Sequence, residues 1–94
     1  MPKKIYKYSL KGSKNGIEMP AHSVVLSCGI QNDTPFIWCL VDTEKEPTIK
    51  AVNVFMTGDT IDDRTLKYCY FVGSVINSQG LVAPIFAEKL IPSF

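Results

Sequence analysis

HSVVLSCGIQNDTPFIWCLVD, residues 22–42, is the stretch that decides the fold. Its first half alternates, and one side of the alternation holds Val24, Leu26, Cys28 and Ile30. Because successive side chains of a strand point to opposite faces, this pattern predicts a half-buried β-strand. The second half is almost wholly apolar, which is typical of a strand covered on both faces. The turn sequence NDTP separates the halves, so we predict an antiparallel hairpin between residues 22–31 and 35–42.

Outward from this hairpin, the rest of the chain also follows a period of two rather than 3.6. Short polar stretches rich in Gly, Ser, Asn and Pro separate the further strand-like segments KIYKYSL, IEMP, IKAVNVFMT, YCYFVGSVIN and LVAPIFAEKL. Six or seven strands joined by short turns predict an all-β fold, a small antiparallel barrel or sandwich. Pro84 cannot donate to a β-ladder, so we expect the last strand to lie at an edge or to contain a bulge.

The length and the apolar content predict one domain with a real core. The chain has 94 residues, of which 46% are hydrophobic, so we expect a single β domain over residues 1–94, with 90–94 as a tail. The side chains expected to be mostly buried are Leu26, Cys28, Ile30, Trp38, Leu40, Val54 and Val72. Tryptophan is also a common anchor at interfaces, so an interface role is the alternative for Trp38.

The charge balance excludes some classes of function. Ten basic and nine acidic residues give a net charge of +1, without the basic excess of a nucleic-acid binder. The N-terminal lysines form either a solvated face or a phosphate-contacting patch: Lys3, Lys4, Lys7, Lys11 and Lys14. No apolar run is long enough to cross a bilayer, and the N-terminus has no apolar signal-peptide core. We therefore expect a cytoplasmic protein, whatever cell makes it, with no nucleic-acid partner and no membrane contact.

No set of residues suited to catalysis is visible in the sequence. His22 is the only histidine, and nothing local ties it to a cysteine. A G-x-S-x-G motif, a Gly-rich phosphate loop and a His–carboxylate pair are all missing. The three cysteines lie far apart inside apolar runs, which favours reduced, buried thiols over metal ligands: Cys28, Cys39 and Cys69. We therefore predict a protein that is not an enzyme and needs no cofactor or metal.

The most site-like segment is FMTGDTIDD, residues 55–63, which we name the acidic loop. A calcium loop needs acidic ligands at alternate positions, a glycine for the bend and a closing glutamate, but here Gly58 precedes the acids. We therefore interpret the segment as a structural turn, with ligand or metal contact as the alternatives. In a turn, Gly58 would supply a positive φ and Asp59 would bond nearby backbone amides. Asp62 would cap a single helical turn.

Binding is expected around residues 57–67, since loops carry binding more often than strands do. The candidate binding residues are Arg64, Lys67, Lys50 and Asp59. The guanidinium fork of Arg64 can hold a phosphate or a carboxylate with two hydrogen bonds.

Five short motifs occur in the order IYKYSL, IEMPAHSVVLSCGIQNDTPFIWCLVD, FMTGD, YFVGSV and IFAEK. In this order they resemble a group of small uncharacterised all-β proteins of tailed bacteriophages and prophages, over roughly residues 4–88. The chain departs from that group at Met56, where a glycine is expected, and at Asp59, where a histidine is frequent. It also has FAE in place of VFE.

The resemblance implies phage origin and a small β fold. Small accessory phage proteins without catalytic residues often act by stoichiometric binding. We therefore expect a non-catalytic protein that counteracts a host defence system in this way, of the anti-CRISPR or anti-signalling type. Its partner would be a host defence protein or a nucleotide signal. The alternative is a phage structural or assembly module that acts through oligomerisation. Unpaired sheet edges and an apolar C-terminal segment favour a homodimer, with Leu90, Ile91 and Phe94 buried between the two copies.

Overall fold

The structure, a computed structural model, describes residues 3–89 as seven strands and one short helix. The elements are β1 (Lys4–Ser9), β2 (Lys14–Pro20), β3 (Val24–Gln31), β4 (Thr34–Val41), β5 (Pro47–Val54), α1 (Asp63–Tyr68), β6 (Cys69–Ile76) and β7 (Val82–Glu88). The expected tail and the dimer contacts Leu90, Ile91 and Phe94 lie outside the described residues. No helix within residues 3–89 is long and apolar enough to cross a membrane.

The strands form two antiparallel sheets packed face to face. Sheet A has the order β1-β4-β3, and sheet B has the order β2-β5-β7-β6. The predicted all-β fold of six or seven strands is therefore confirmed, as an open sandwich and not a closed barrel. The edges β3 and β6 meet along one side, where Tyr70 Oη donates to the carbonyl oxygen of Val25 at 3.2 Å.

The predicted hairpin forms between β3 and β4. Asn32 and Asp33 make its turn, with φ values of 50° and 60°. Two consecutive residues with positive φ match the right-handed twist of the strands they join. Asp33 also accepts hydrogen bonds from the Ser78 hydroxyl at 2.6 Å and the Ser78 amide at 2.8 Å. These bonds lower the pKa of the Asp33 carboxyl and tie the hairpin to the turn between β6 and β7.

The assignment of β3 side chains to faces was wrong, because β3 contains a bulge. The pairing with β4 shifts between Val25 and Ser27, so Leu26 is an extra residue. A bulge moves the alternation by one position. Val25 therefore faces the core before the bulge, and Cys28 and Ile30 pack against the core after it. Leu26, predicted to be buried, is 50% exposed.

Trp38 was also predicted to be buried, yet it lies on the outer face of β4 with 42% of its surface exposed. Its neighbours Ile37 and Cys39 are fully buried on the inner face. Leu40 shares the outer face with Trp38 and is half-buried. Apolar residues occupy both faces of this strand, so its composition alone does not tell which face is covered.

The core fills the space between the two sheets. It consists of Leu10, Met19, Val25, Ile37, Cys39, Val41, Val52, Val54, Val75, Ala83, Ile85 and Ala87. Of the side chains predicted to be buried, Val54 belongs to this cluster, and Val72 packs against it from a half-buried position.

The placement of Pro84 at an edge or bulge was wrong, since β7 lies between β5 and β6. The pairing of β5 with β7 ends at Val54, and the Phe55 amide then donates to the Pro84 carbonyl oxygen at 2.9 Å. In a strand, the N–H and C=O of one residue point to the same side. The missing N–H of Pro84 therefore faces Phe55, just past the end of β5, so proline removes one bond at the end of the ladder and none inside it. The bulge of this strand pair lies in β6, between Phe71 and Gly73.

Candidate functional site

The acidic loop is a turn, as predicted. Gly58 has a φ of 97°, and Asp59 Oδ2 accepts the Met56 amide at 2.8 Å. Asp62 is the N-cap of α1 and accepts the Thr65 amide at 2.8 Å. Hydrogen bonding to Thr65 lowers the pKa of the Asp62 carboxyl. Among residues 3–89, no three His, Cys, Asp or Glu side chains are placed to hold a metal ion together.

Arg64 and Lys67 lie together on α1, and both approach the ring of Tyr68. The Arg64 Cζ is 5.9 Å and the Lys67 Nζ 5.5 Å from the centroid of the tyrosine ring. Cations at these distances from an aromatic face are held electrostatically. The helix has no buried residue, so these two candidate residues form an exposed basic and aromatic surface.

Lys50, the third basic candidate, lies apart from that surface. It points from β5 into the sandwich and is only 6% exposed. Its Nζ donates to the carbonyl oxygen of Glu88 at 3.2 Å. Burial lowers the pKa of the Lys50 ammonium, and the Glu88 carboxylate opposes that shift. The Glu88 carboxylate in turn accepts the Ala51 amide at 3.2 Å.

Two clefts open at the end of the sandwich where Lys50 lies, each with a volume of about 220 Å³. Lys50, Glu88 and Lys89 line both of them, and we name the pair the Lys50 cleft. His22 lines the first cleft from a turn in which its φ is 65°. Tyr70 lines the second cleft.

Asp59, the fourth candidate, lines a separate cleft of about 340 Å³ beside β5. Asp62 and Lys14 line the same cleft. The four candidate residues thus fall in three places: Arg64 and Lys67 together on α1, Asp59 in this acidic cleft, and Lys50 inside the sandwich.

The outer face of sheet A is a further candidate site that the sequence analysis missed. Apolar side chains from all three of its strands face outward there: Ile5, Val24, Leu26, Phe36, Trp38 and Leu40. We name this surface the Trp38 face. The FIWCLVD run contained the signal, because alternate residues of an apolar strand must lie on both faces. Sequence alone could not show that one of those faces stays uncovered.

Phe36 is only 8% exposed on this face, and its ring lies against Gly29. Its ring lies 5.1 Å from the ring of Trp38, and the Nζ of Lys7 lies 4.3 Å from its centroid. A Cβ atom at Gly29 would lie 2.7 Å from the ring, so only glycine leaves room for it there. The Lys7 Nζ also donates to Gln31 Oε1 at 2.8 Å. These contacts give the Trp38 face a fixed aromatic centre with one adjacent cation.

Comparison with known proteins gives a family but no activity. No curated protein and no solved structure matches the chain. Residues 1–91 match a family described as a domain of unknown function, DUF7352, and the chain therefore belongs to that family.

Proposed function

We propose that the chain is a non-catalytic protein that acts by binding another protein through the Trp38 face. The observation that carries this proposal is the convergence of exposed apolar side chains from three strands on one face. Ile5 is 65% exposed, Leu26 50% and Trp38 42%. Contiguous apolar surfaces that remain exposed are typical of interaction sites, and tryptophan is enriched among the residues that dominate binding energy.

The chemistry of the face favours a different protein over a second copy of this chain. Lys7 is the only charged side chain among the outward-facing paired positions of sheet A. If two Trp38 faces packed together, each Lys7 would meet a surface without a carboxylate. A partner that presents apolar side chains beside an acidic residue would instead match both the apolar centre and the cation.

Together with the resemblance to phage proteins, this surface supports a host defence protein as the partner, blocked stoichiometrically in the manner of an anti-CRISPR inhibitor. Sequestration of a nucleotide signal fits the molecule less well. The clefts described above hold about 220–340 Å³, at or below the lower end of ligand pockets, which run from about 300 to 1,000 Å³. The largest has Asp59 and Asp62 in its wall, and both carboxylates would repel a phosphate.

Phage growth in hosts that carry different defence systems tests the proposal. We expect deletion of the gene to reduce growth in at least one such host, and Trp38→Ser to reduce it equally in that host. Leu81→Ser is the matched control, because Leu81 is 50% exposed but lies in the turn between β6 and β7. It should grow like the wild type. Immunoblots should show equal amounts of each variant.

The variant Arg64→Ala tests whether the partner binds the α1 surface instead of the Trp38 face. Arg64 is exposed, so its removal should leave stability within about 0.5 kcal/mol. Loss of protection with Arg64→Ala but not with Trp38→Ser would move the contact surface to α1. If the full deletion leaves growth unchanged in every defended host, the anti-defence proposal fails. The assembly module that acts through oligomerisation then becomes the better explanation.

A further inference from the structure

We propose that the Lys50 cleft binds a small organic anion, a carboxylate or a phosphate that carries one apolar group. The cleft lies inside one end of the sandwich and does not use the aromatic centre of the Trp38 face. The inference therefore does not rest on the proposed function. It rests on an ammonium group with unused donors, an excess positive charge and an apolar wall.

The Lys50 ammonium has more donors than residues 3–89 satisfy. An ammonium carries three N–H groups, and within that part of the chain Lys50 makes one hydrogen bond, to the carbonyl oxygen of Glu88. Only 6% of the surface of Lys50 is exposed, so more than nine-tenths of the residue is buried. Removing a cation from water is costly unless partners replace the lost hydration. Because Lys50 lines both clefts, a ligand there can accept the remaining N–H groups.

The described residues that line the cleft carry an excess of one positive charge. Lys50 and Lys89 each bring one positive charge, and Glu88 brings one negative charge. The Glu88 carboxylate is directed by its hydrogen bond from the Ala51 amide. A bound anion would pair with the excess cation, and a charge-assisted hydrogen bond to Lys50 is of the stronger kind.

The second of the two clefts indicates which apolar group the anion carries. Val24, Val25 and Tyr70 line it, and the Tyr70 hydroxyl is already bonded to the carbonyl oxygen of Val25. This wall offers apolar contact and few free polar groups. A volume of about 220 Å³ suits a single ring or a short aliphatic chain better than a nucleotide.

The test is a titration of the ¹⁵N-labelled protein, followed by amide chemical shifts. Benzoate and phenyl phosphate are the probes, and benzamide is the neutral control of the same shape. We expect saturable shifts with at least one anion, centred on the amides of His22, Ala51 and Lys89. Benzamide should cause little change. The probe that binds more tightly shows whether the site prefers a carboxylate or a phosphate.

Three variants give the expected pattern of affinities. Lys50→Met removes the ammonium and should weaken binding at least about tenfold, as the loss of a hydrogen bond to a charged group does. Glu88→Gln keeps an acceptor for the Ala51 amide but removes the repelling charge, so it should tighten binding several-fold. Lys11→Met is the matched control, since Lys11 is an exposed lysine that precedes β2, at the opposite end of that strand from His22. Its affinity should not change.

Several results would overturn the proposal. They are the absence of saturable shifts with either anion, shifts centred away from the cleft, or equal affinities in Lys50→Met and the wild type. If Lys50→Met does not fold, two measurements still test the proposal. They are the positions of the shifted amides in the wild type and the direction in which Glu88→Gln changes the affinity. Weaker binding in Glu88→Gln would contradict the charge argument.

Discussion

Among the described residues, Cys39 is the one whose pKa is shifted most by burial. The residue is fully buried in the core, and this burial raises the pKa of the thiol from its ordinary 9.0 to about 11, against an opposing effect of Lys50. Between these values the unfolded chain has lost a proton that the folded chain retains. The stability that depends on the neutral thiol is therefore present below pH 9 and is lost as the pH rises towards 11. Burial also raises the pKa of Cys28, Cys69, Tyr8 and Tyr70.

We expect the free energy of unfolding to fall between pH 8 and 11, and Cys39→Ala to make that fall shallower. The difference should be on the order of 1–2 kcal/mol, somewhat less than the full pKa shift would give. The lowered pKa of Lys50 acts in the opposite direction, since its unfolded form holds the extra proton. Urea denaturation under reducing conditions, at closely spaced pH values, measures the slope. Parallel curves for the two proteins would show that Cys39 is not the group responsible.

At the scale of single elements, the bulge in β3 makes opposite predictions for two apolar side chains. Leu26 is 50% exposed, so Leu26→Ala should cost less than about 1 kcal/mol. Ile37 is fully buried on β4, so Ile37→Ala should cost about 2–5 kcal/mol. Chemical denaturation of both variants gives the comparison. Equal losses would place Leu26 in the core and restore the uninterrupted alternation of β3.

The elements also show which features a sequence can specify. The hairpin and the cap at Asp62 were predicted because each depends on a few adjacent residues, such as two turn formers or one carboxylate before a helical turn. The β3 bulge and the position of Pro84 were not, because both depend on where a neighbouring strand starts and stops pairing. The Lys50 cleft was not predicted for the same reason, although Lys50 itself was a candidate binding residue. Its surroundings depend on β7, because the carbonyl oxygen that accepts its hydrogen bond belongs to Glu88, 38 residues further along the chain.

For the whole molecule, the outer faces of the two sheets differ in charge. The Trp38 face carries only Lys7 among its outward-facing paired positions. The outer face of sheet B has both signs, since Lys14 and Glu18 both project from it on β2. On that face, Phe71 of the edge strand β6 is 57% exposed, and its ring centroid lies 5.6 Å from that of Phe86 on β7. A face with both signs can complement itself across a two-fold axis, whereas a face with one sign cannot.

This difference in charge between the two outer faces indicates which surface the expected homodimer uses. Edge pairing is disfavoured, because lysine and proline on an edge strand oppose pairing with another chain. The edge strand β1 carries Lys4 and Lys7. The edge strand β2 carries Lys14 and Pro20. We therefore expect a dimer through the outer face of sheet B, detected by light scattering at tens of micromolar. Phe71→Lys should convert it to a monomer, while Trp38→Ser should leave the mass unchanged. A wild-type monomer at that concentration would contradict the dimer. A monomer produced by Trp38→Ser would place self-association on the face that we assign to the host protein, and the two proposals would then compete for one surface.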